Sequence, residues 1–515
     1  MAEYTPEAIR RGWRLTHSDV VMEAADPGFD KGQIRAVLTI SNNGSIAYRN
    51  RANLTSERAR NKILSTLTEK GITLDERALI ALEDACRKPR PTAHKNERDG
   101  GTDFSEKVTE SLDLDGLKQV FSRHLLIADQ ALLPVTLGTI LAHKLTGESV
   151  WLLIVAPPGG TKTEILRSFY GTRGMFALSE LTPKTFASGL DKGAEDPSLL
   201  NRLKDEVLIV KDLTTVLEMP NEARSQIFAQ LREIYDGRFD KSWGTGKTLH
   251  WQGRLGFIAG VTEVIDKHHG ALAVLGERFV MLRAIMPPRE ELALRALQGA
   301  RKEVLMRKEL AEAMRNFILS RKIEPPEVPP EILQKLIAVT DFVTRARSAT
   351  VRDGYRRELQ YAPQAEAPTR FAKVLHSLAC GIALAHDADE VTDDHLRYVM
   401  RTALDCLPKV RREVVGVLAK EAITDGGEGE LKTGEVVEVT QFSSAAVRRA
   451  LEDLQAFGIV SVTKGGQGRA DTWALRDEWK NVFEQLGDAA VGTFPEKSEG
   501  VSQQKNEVAD DVEAF

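Results

Sequence analysis

The stretch VWLLIVAPPGGTKTEIL, residues 150–166, decides how the rest of this 515-residue chain is read. Val150–Val155 is a continuous apolar run, the pattern of a strand covered on both faces. APPGG, 156–160, can continue neither strand nor helix, and TKTEILRSF opens a helix with Ile165, Leu166 and Phe169 on its apolar side. Strand, glycine-bearing turn and helix start are the three parts of a phosphate-binding loop. Backbone N–H groups and the helix dipole face the phosphates, a lysine reaches the outer oxygens, and the next hydroxyl ligates Mg²⁺. The expected nucleotide contacts are Pro158, Gly159, Gly160, Thr161, Lys162 and Thr163, with Thr163 also a metal ligand. The strict pattern G-x-x-x-x-G-K-[ST] is not met. Ala156 and Thr161 stand at the two fixed glycines, and Gly159 and Gly160 are displaced by one or two places. The plain alternative is a strand–turn–helix with no ligand.

A rival lysine lies further on, in WGTGKTL, 243–249. Its upstream neighbours GRFDKSW are not a buried strand, and the glycine frame would place its first glycine at Lys241. Downstream, LHWQGRLGFIAGV alternates before turning apolar, which is strand character rather than helix. Residues 238–252 are therefore expected to form a β-hairpin with WGTGK near its tip.

Three further strands carry polar residues at their ends. VLIVKD, 207–212, ends in Asp212, placed where a carboxylate would sit beside Mg²⁺. Leu213 follows where a catalytic glutamate is usual, so two frames are open: Asp212 ligates Mg²⁺, or Lys211 fills that slot and Asp212 is the base. The first is preferred because magnesium needs a hard oxygen ligand. Glu180, after the strand MFALS, is then the candidate base, or else a surface residue capping the next helix. LGFIAGVT, 255–262, ends in Thr262, and GERF follows downstream, with Arg278 before Phe279.

In this order the sequence resembles AAA+ ATPases of the minichromosome-maintenance and superfamily 3 helicase branches, over about 150–405. The resemblance lies in motif order more than in letters. It implies ATP and Mg²⁺ as cofactors, Thr262 as the polar sensor of the γ-phosphate, and Arg278 as an arginine finger reaching a neighbouring subunit's site. It further implies a helical lid in which Arg370 opens a helix as a second sensor, with VTDDHL starting a later helix through Thr392. In such helicases a hairpin in the place of 236–254 projects a lysine into the central channel. Lys241, Lys247 and Arg254, interleaved with Trp243 and Trp251, suit single-strand contact, cations following phosphates and aromatics stacking on bases. A structural hairpin with inward tryptophans is the alternative.

The C-terminal segment GELKTGEVVEVTQFSSAAVRRALEDLQAFGIVSVTKGGQGRADTWAL, 429–475, has a winged-helix pattern. A helix capped at Ser443 runs to Phe457, with Val447, Leu451 and Leu454 inward and Arg448 and Arg449 outward. Two strands then flank KGGQGR, a basic wing with Lys464 and Arg469. Such a module presents a helix to a groove and cations to phosphates, although many winged helices bind protein.

Composition sets the frame. A 42% hydrophobic, 28% charged chain builds real cores, and a net charge of −5 confines any nucleic-acid surface to local patches. Cys86, Cys380 and Cys406 form no CxxC pair, which argues against a zinc site or a disulfide framework. MAEYTPEAIRRGWRL has no secretory apolar core, and no run approaches the roughly 20 residues of a membrane span, so a cytoplasmic protein without membrane contact is expected.

The expected class is α/β: a small α+β module (1–86), a linker (87–111), a P-loop AAA+ core with a parallel sheet (112–288), a helical lid (289–408), a winged helix-turn-helix (409–486) and an acidic tail (487–515). The functional expectation is an ATP-hydrolysing motor on single-stranded or duplex DNA, a helicase or replication ATPase assembled as a homo-oligomeric ring, with six copies the expected size. An ATP-switched DNA-binding regulator and a protein-remodelling ATPase stand as alternatives.

Overall fold

A computed structural model of the chain describes residues 6–9, 12–30, 33–42, 45–87, 111–159, 161–188, 198–244, 246–268, 278–355, 358–423, 429–466 and 470–486. The chain divides into two compact units, 1–104 and 105–515. The linker expected at 87–111 and the tail at 487–515 fall almost wholly outside the described residues, as do Gly160 and Arg469.

The first unit is an antiparallel meander of five strands in chain order: β1 (Glu7–Ile9), β2 (Gly12–His17), β3 (Val20–Asp30), β4 (Gln33–Asn42) and β5 (Ser45–Asn53). Alternating Ile34, Ala36, Leu38 and Ile40 turn one face of β4 inward, as period-2 patterning requires. Helices α1 (Glu57–Thr68) and α2 (Glu76–Arg87) cover that face through Ile63, Leu67, Leu79 and Leu82. The cap of α1 is Ser56, whose hydroxyl accepts from Ala59 N–H. Thr55 accepts from the backbone N–H of Ile34 at 2.9 Å and ties the helix start to β4.

The second unit is built on a five-stranded parallel sheet. After α3 (Leu114–His124) and α4 (Leu132–Lys144) come β6 (Trp151–Val155), α5 (Lys162–Ser168), β7 (Met175–Leu178), β8 (Val207–Val210), α6 (Thr214–Leu217) and α7 (Asn221–Tyr235). A hairpin β9 (Arg238–Ser242)–β10 (Thr248–Gln252) follows, then β11 (Gly256–Val261) and β12 (Phe279–Arg283). Across the sheet the order is β12-β6-β11-β8-β7, every pair parallel. β6, β8 and β11 are buried at every position, so they need apolar residues throughout rather than alternation. At the strand N-termini Trp151 packs on Phe257, Phe279 and Tyr235, with centroids 5.0–5.3 Å apart, and donates its indole N–H to Leu255 O at 2.7 Å.

Helices α8 (Arg289–Gln298), α9 (Glu303–Ser320), α10 (Pro330–Arg347), α11 (Thr369–Ala385), α12 (Asp393–Asp405) and α13 (Lys409–Ile423) follow, interrupted by a short hairpin β13 (Val351–Arg352)–β14 (Leu359–Tyr361). A buried charge network joins them to the sheet. Arg401 on α12 grips Asp129 with two bonds of 3.1 and 2.9 Å and donates to Arg283 O. Arg283 pairs with Asp266 at 2.7 Å, and its backbone N–H is accepted by Asp405. The last elements are β15 (Leu431–Lys432), α14 (Thr433–Thr440), α15 (Ser444–Ala456), β16 (Val460–Thr463), β17 (Thr472–Leu475) and α16 (Asp477–Leu486), with sheet order β15-β17-β16. Ser443 caps α15, and Val447, Leu451 and Leu454 are buried. Arg352 and Arg411 hold Asp453 at 2.6 and 2.9 Å, and Phe342 meets Trp479 and Phe483 edge-on, so these elements share one core with the helices before them.

Candidate functional site

The strand order fixes which loops meet. β11 is inserted between β6 and β8, so the chain segments leaving β6, β11 and β8 emerge side by side at the carboxyl edge of the sheet, where open α/β sheets hold ligands. Those segments carry Lys162, Thr262 and Asp212. Ladder bonds continue past the strands and set their spacing: Ala156 N–H to Val261 O at 3.0 Å, and Leu213 N–H to Gly260 O at 2.8 Å.

Lys162 is the first residue of α5 and only 5% exposed. Its ammonium donates to the carbonyls of Ala156 at 2.6 Å and Pro157 at 3.3 Å, so the loop closes on its own lysine. Burial pulls its pKa below the ordinary lysine value, and the charge of Asp212 partly restores it. The lysine stem passes over Gly260. A Cβ there would lie 2.8 Å from Lys211 O, 3.2 Å from Leu166 Cδ1 and 3.5 Å from Lys162 Cδ. Pro158 and Gly159 form the exposed turn, with Gly159 at φ +77°, and Thr161 and Thr163 are half-buried on either side of the lysine.

Asp212, half-buried, accepts from Thr214 N–H at 2.9 Å, a turn that orients its carboxylate. Thr214 also receives the backbone N–H of Thr262 at 3.0 Å and donates to the Thr262 hydroxyl at 3.3 Å. Thr214 therefore pins the ends of β8 and β11 together. The sequence left it unmarked because a threonine opening a short helix is ordinary capping chemistry. Glu180 is exposed at the end of β7, the edge strand next to β8.

Beside the loop is a cavity of about 10 Å³, lined by Lys162, Thr161, Asp129, Leu132, Ile285 and Met286 among others. That is space for a water and not for a nucleobase, so a base entering here must part the 127–129 and 284–286 segments. Asp129 ties the two together, accepting from Ile285 N–H at 2.8 Å while paired with Arg401. Glu164 on α5 is clamped by Arg307 of α9 at 2.9 and 3.0 Å and by Arg167 at 2.9 Å. Burial alone would raise its pKa, but the two arginines outweigh burial and hold it below the ordinary glutamate value.

Arg278 and Arg370 lie together at the other end of the sheet. Arg278 precedes β12, whose Phe279 pairs with Trp151 and whose Arg283 pairs with Val155. A five-residue strand, roughly 16 Å, therefore separates it from the loop edge. It is 5% exposed, bonded to both carboxylate oxygens of Asp236 at 2.9 and 2.7 Å, with the ring of Tyr235 beside it. Arg370 is 3.8 Å from the same Asp236 and 5.8 Å from the Tyr235 centroid. Neither arginine reaches Lys162 within one chain.

The hairpin β9–β10 corrects part of the sequence reading. Trp251 is buried and donates to Leu203 O, and the guanidinium of Arg254 is held by the carbonyls of His143, Leu145 and Gly147, so both are structural. Trp243 is half-buried, with Lys241 and Lys247 at 5.5 and 5.7 Å from its ring, and Lys247 donates to Ser188 O at 3.1 Å. In the last elements Arg448 and Arg449 are exposed on α15, Arg448 within 3.2 Å of Glu452. Lys464 is exposed and paired with Asp471 at 2.9 Å.

Among the described residues no group of three or more His, Cys, Asp or Glu is gathered as a metal site, and no helix is long and apolar enough to cross a membrane. No protein-family model matches this sequence, and no curated protein matches it.

Proposed function

We propose that residues 105–515 form an AAA+ ATPase that hydrolyses ATP in a ring of like subunits and acts on DNA. The observation that carries this is the order β12-β6-β11-β8-β7, which gathers a buried lysine, a threonine and an aspartate at the ends of three adjacent parallel strands. The donor set fits a magnesium nucleotide: a desolvated ammonium, a hydroxyl beside it at Thr163, and a carboxylate at Asp212.

Lys162 exchanges its bonds to Ala156 and Pro157 for phosphate oxygens. Thr163 and Asp212 are the residues that would hold Mg²⁺, which needs few protein ligands when phosphates supply the others. Thr262, fixed by Thr214, would contact the γ-phosphate, and Glu180, exposed just past the edge strand β7, is the candidate to take the proton of an attacking water. Arg278 and Arg370, too far to serve their own chain, serve a neighbour. Bound Mg–ATP supplies the phosphoanhydride whose cleavage drives the cycle.

The contact with DNA is assigned to Lys241, Trp243 and Lys247 at the β9–β10 tip, and to Arg448, Arg449 and Lys464 of a C-terminal winged helix. An indole flanked by two ammonium groups is suited to stack on a base while the cations follow the backbone. Helicase action is the reading preferred. A regulator that binds duplex DNA and is switched by ATP draws on a separate observation, the ion pairs from Arg352 and Arg411 that fasten α15 to the preceding helices. Phosphate release measured with and without single-stranded oligonucleotide tests the assignment. The motor reading expects stimulation that falls when Lys241 and Lys247 are both changed to Ala. Stimulation by duplex only, insensitive to those changes and lost with Arg448→Ala, would favour the regulator.

A further inference from the structure

A groove of about 580 Å³ lies between α10, α11 and the segment entering β6. Its floor is apolar. Leu336 and Ala372 line it, with Leu333 (38%) and Ile337 (65%) left exposed. A concave apolar surface of this size marks a contact site. One wall is basic: Arg370, Lys373 and His376 follow one another at three-residue steps along α11, the last two in the lining of the groove. The Arg370 side chain is 40% exposed, Lys373 and His376 are exposed, and among the described residues Lys373 has no carboxylate within 4 Å. The one acid in the lining is Glu148, which is turned to the Tyr235 hydroxyl. On α10, Asp341 is paired with Arg345 at 3.0 Å. Glu331 and Lys335 stand on the face of α10 away from Leu333 and Ile337, and Lys335 meets Asp393 there at 2.6 Å.

The chain carries a segment of the complementary kind. Residues 487–515 hold seven Asp and Glu against two Lys. Their most acidic stretch is EVADDVEAF, 507–515, with four acids and no base. Its apolar residues Val508, Val512 and Phe515 recur at i, i+4 and i+7, the spacing of anchors that enter a groove from one face of a helix. The segment is also tethered close by. Helix α16 packs on α10, where Trp479 and Phe483 both meet Phe342 edge-on. Phe342 lies five residues from Ile337 on the same helix, about 8 Å along its axis. A flexible stretch the length of 487–507 averages about 25 Å end to end, and the whole of α10 is about 27 Å long.

We infer that the groove is the docking site of residues 507–515 of the same chain. Val508, Val512 and Phe515 pack against Leu333, Leu336 and Ile337, and the four acids run along the basic wall of α11. Three features select this occupant. Its apolar residues recur at the spacing a groove beside a helix accepts, and its charge is opposite to that of Arg370, Lys373 and His376. Its tether holds it near the groove at a local concentration on the order of millimolar, so even a weak contact is filled. The contact requires nothing of the ATPase reading and stands or falls apart from it.

The full chain carrying Phe515→benzoylphenylalanine, irradiated in dilute solution, separated by size and digested, reads the contact. Crosslinks are expected in the single-chain band, on peptides that carry 333–337 or 372–377. Ile337→Glu sets a carboxylate against the docked acids and is expected to lower their yield about 10-fold or more. That side chain is exposed, and unchanged melting confirms that the variant folds. Val512→Asp alters the segment and leaves the groove as it is, and is expected to lower the yield to a similar extent. Crosslinks confined to other peptides, a product found only in the two-chain band, or a yield that either substitution leaves unchanged overturns the inference.

Discussion

Gly260 is where the three site segments touch, and Gly260→Ala tests whether their contact matters. The added methyl would meet Lys211 O at 2.8 Å, Leu166 Cδ1 at 3.2 Å and Lys162 Cδ at 3.5 Å. The first is a backbone atom on a segment held by Lys211 N–H to Leu178 O at 3.0 Å and Leu213 N–H to Gly260 O at 2.8 Å, so it yields little. β11 is paired on both sides and cannot retreat. Relief falls on α5, through Leu166 and the lysine stem. Overpacking of this kind costs about 1–3 kcal/mol of stability. Moving the ammonium off a phosphate oxygen removes a charged hydrogen bond worth about 1.5–3 kcal/mol. Nucleotide affinity should therefore fall roughly 10- to 100-fold. Titration with a fluorescent ATP analogue and Mg²⁺, alongside urea unfolding, separates the two effects. Stability lowered as expected with affinity unchanged would show that the lysine has no phosphate to lose.

Arg278→Ala and Lys162→Ala should each abolish hydrolysis. Mixed in equal amounts they should recover about a quarter of the wild-type rate, since one random neighbour pair in four joins an intact loop to an intact arginine; no recovery would contradict a role in the adjacent copy. His143, 4% exposed, has its pKa lowered to about 4 by burial and then by Arg254, despite Asp205 at 3.4 Å. Its folded pKa lies below the ordinary 6.5, so the stability it confers as a neutral ring is complete above pH 6.5 and is lost as pH falls toward 4. At pH 5 the loss is about 2 kcal/mol, read as a lower urea midpoint than at neutral pH. His143→Gln should flatten that dependence, and an equal slope in the variant would place the titration elsewhere.

The parallel sheet was legible because its central strands are buried on both faces and are written as unbroken apolar runs. Each ends in a polar residue whose position needs no tertiary information. β1–β3 were not legible. Ala24 and Ala25 carry little hydrophobic signal, and Pro27–Gly28 looks like a loop, whereas the structure absorbs it as an irregularity in register between β3 and β4. The hairpin β9–β10 was legible as a hairpin, but the direction of its tryptophans was not. Trp251 turns inward with Leu249 on the buried face of β10, opposite Phe239, and donates to Leu203 O, distant in sequence, whereas Trp243 lies past the end of β9 at the turn. Thr214, Asp129 and Arg401 were invisible for the same reason: each acts through partners 48 to 272 residues away. The side of the sheet on which Arg278 stands follows from strand direction. Its enclosure by Asp236 does not.

Phosphate release from Mg–ATP by the purified chain, wild type beside Lys162→Ala, bears most directly on the central claim. Steady turnover is expected of wild type, with a loss of about 10²-fold or more in the variant, the scale seen when a charge-stabilising donor is removed from a site of this kind. A wild type that releases no phosphate under any assembly condition, or a Lys162→Ala variant that keeps the wild-type rate, would contradict it.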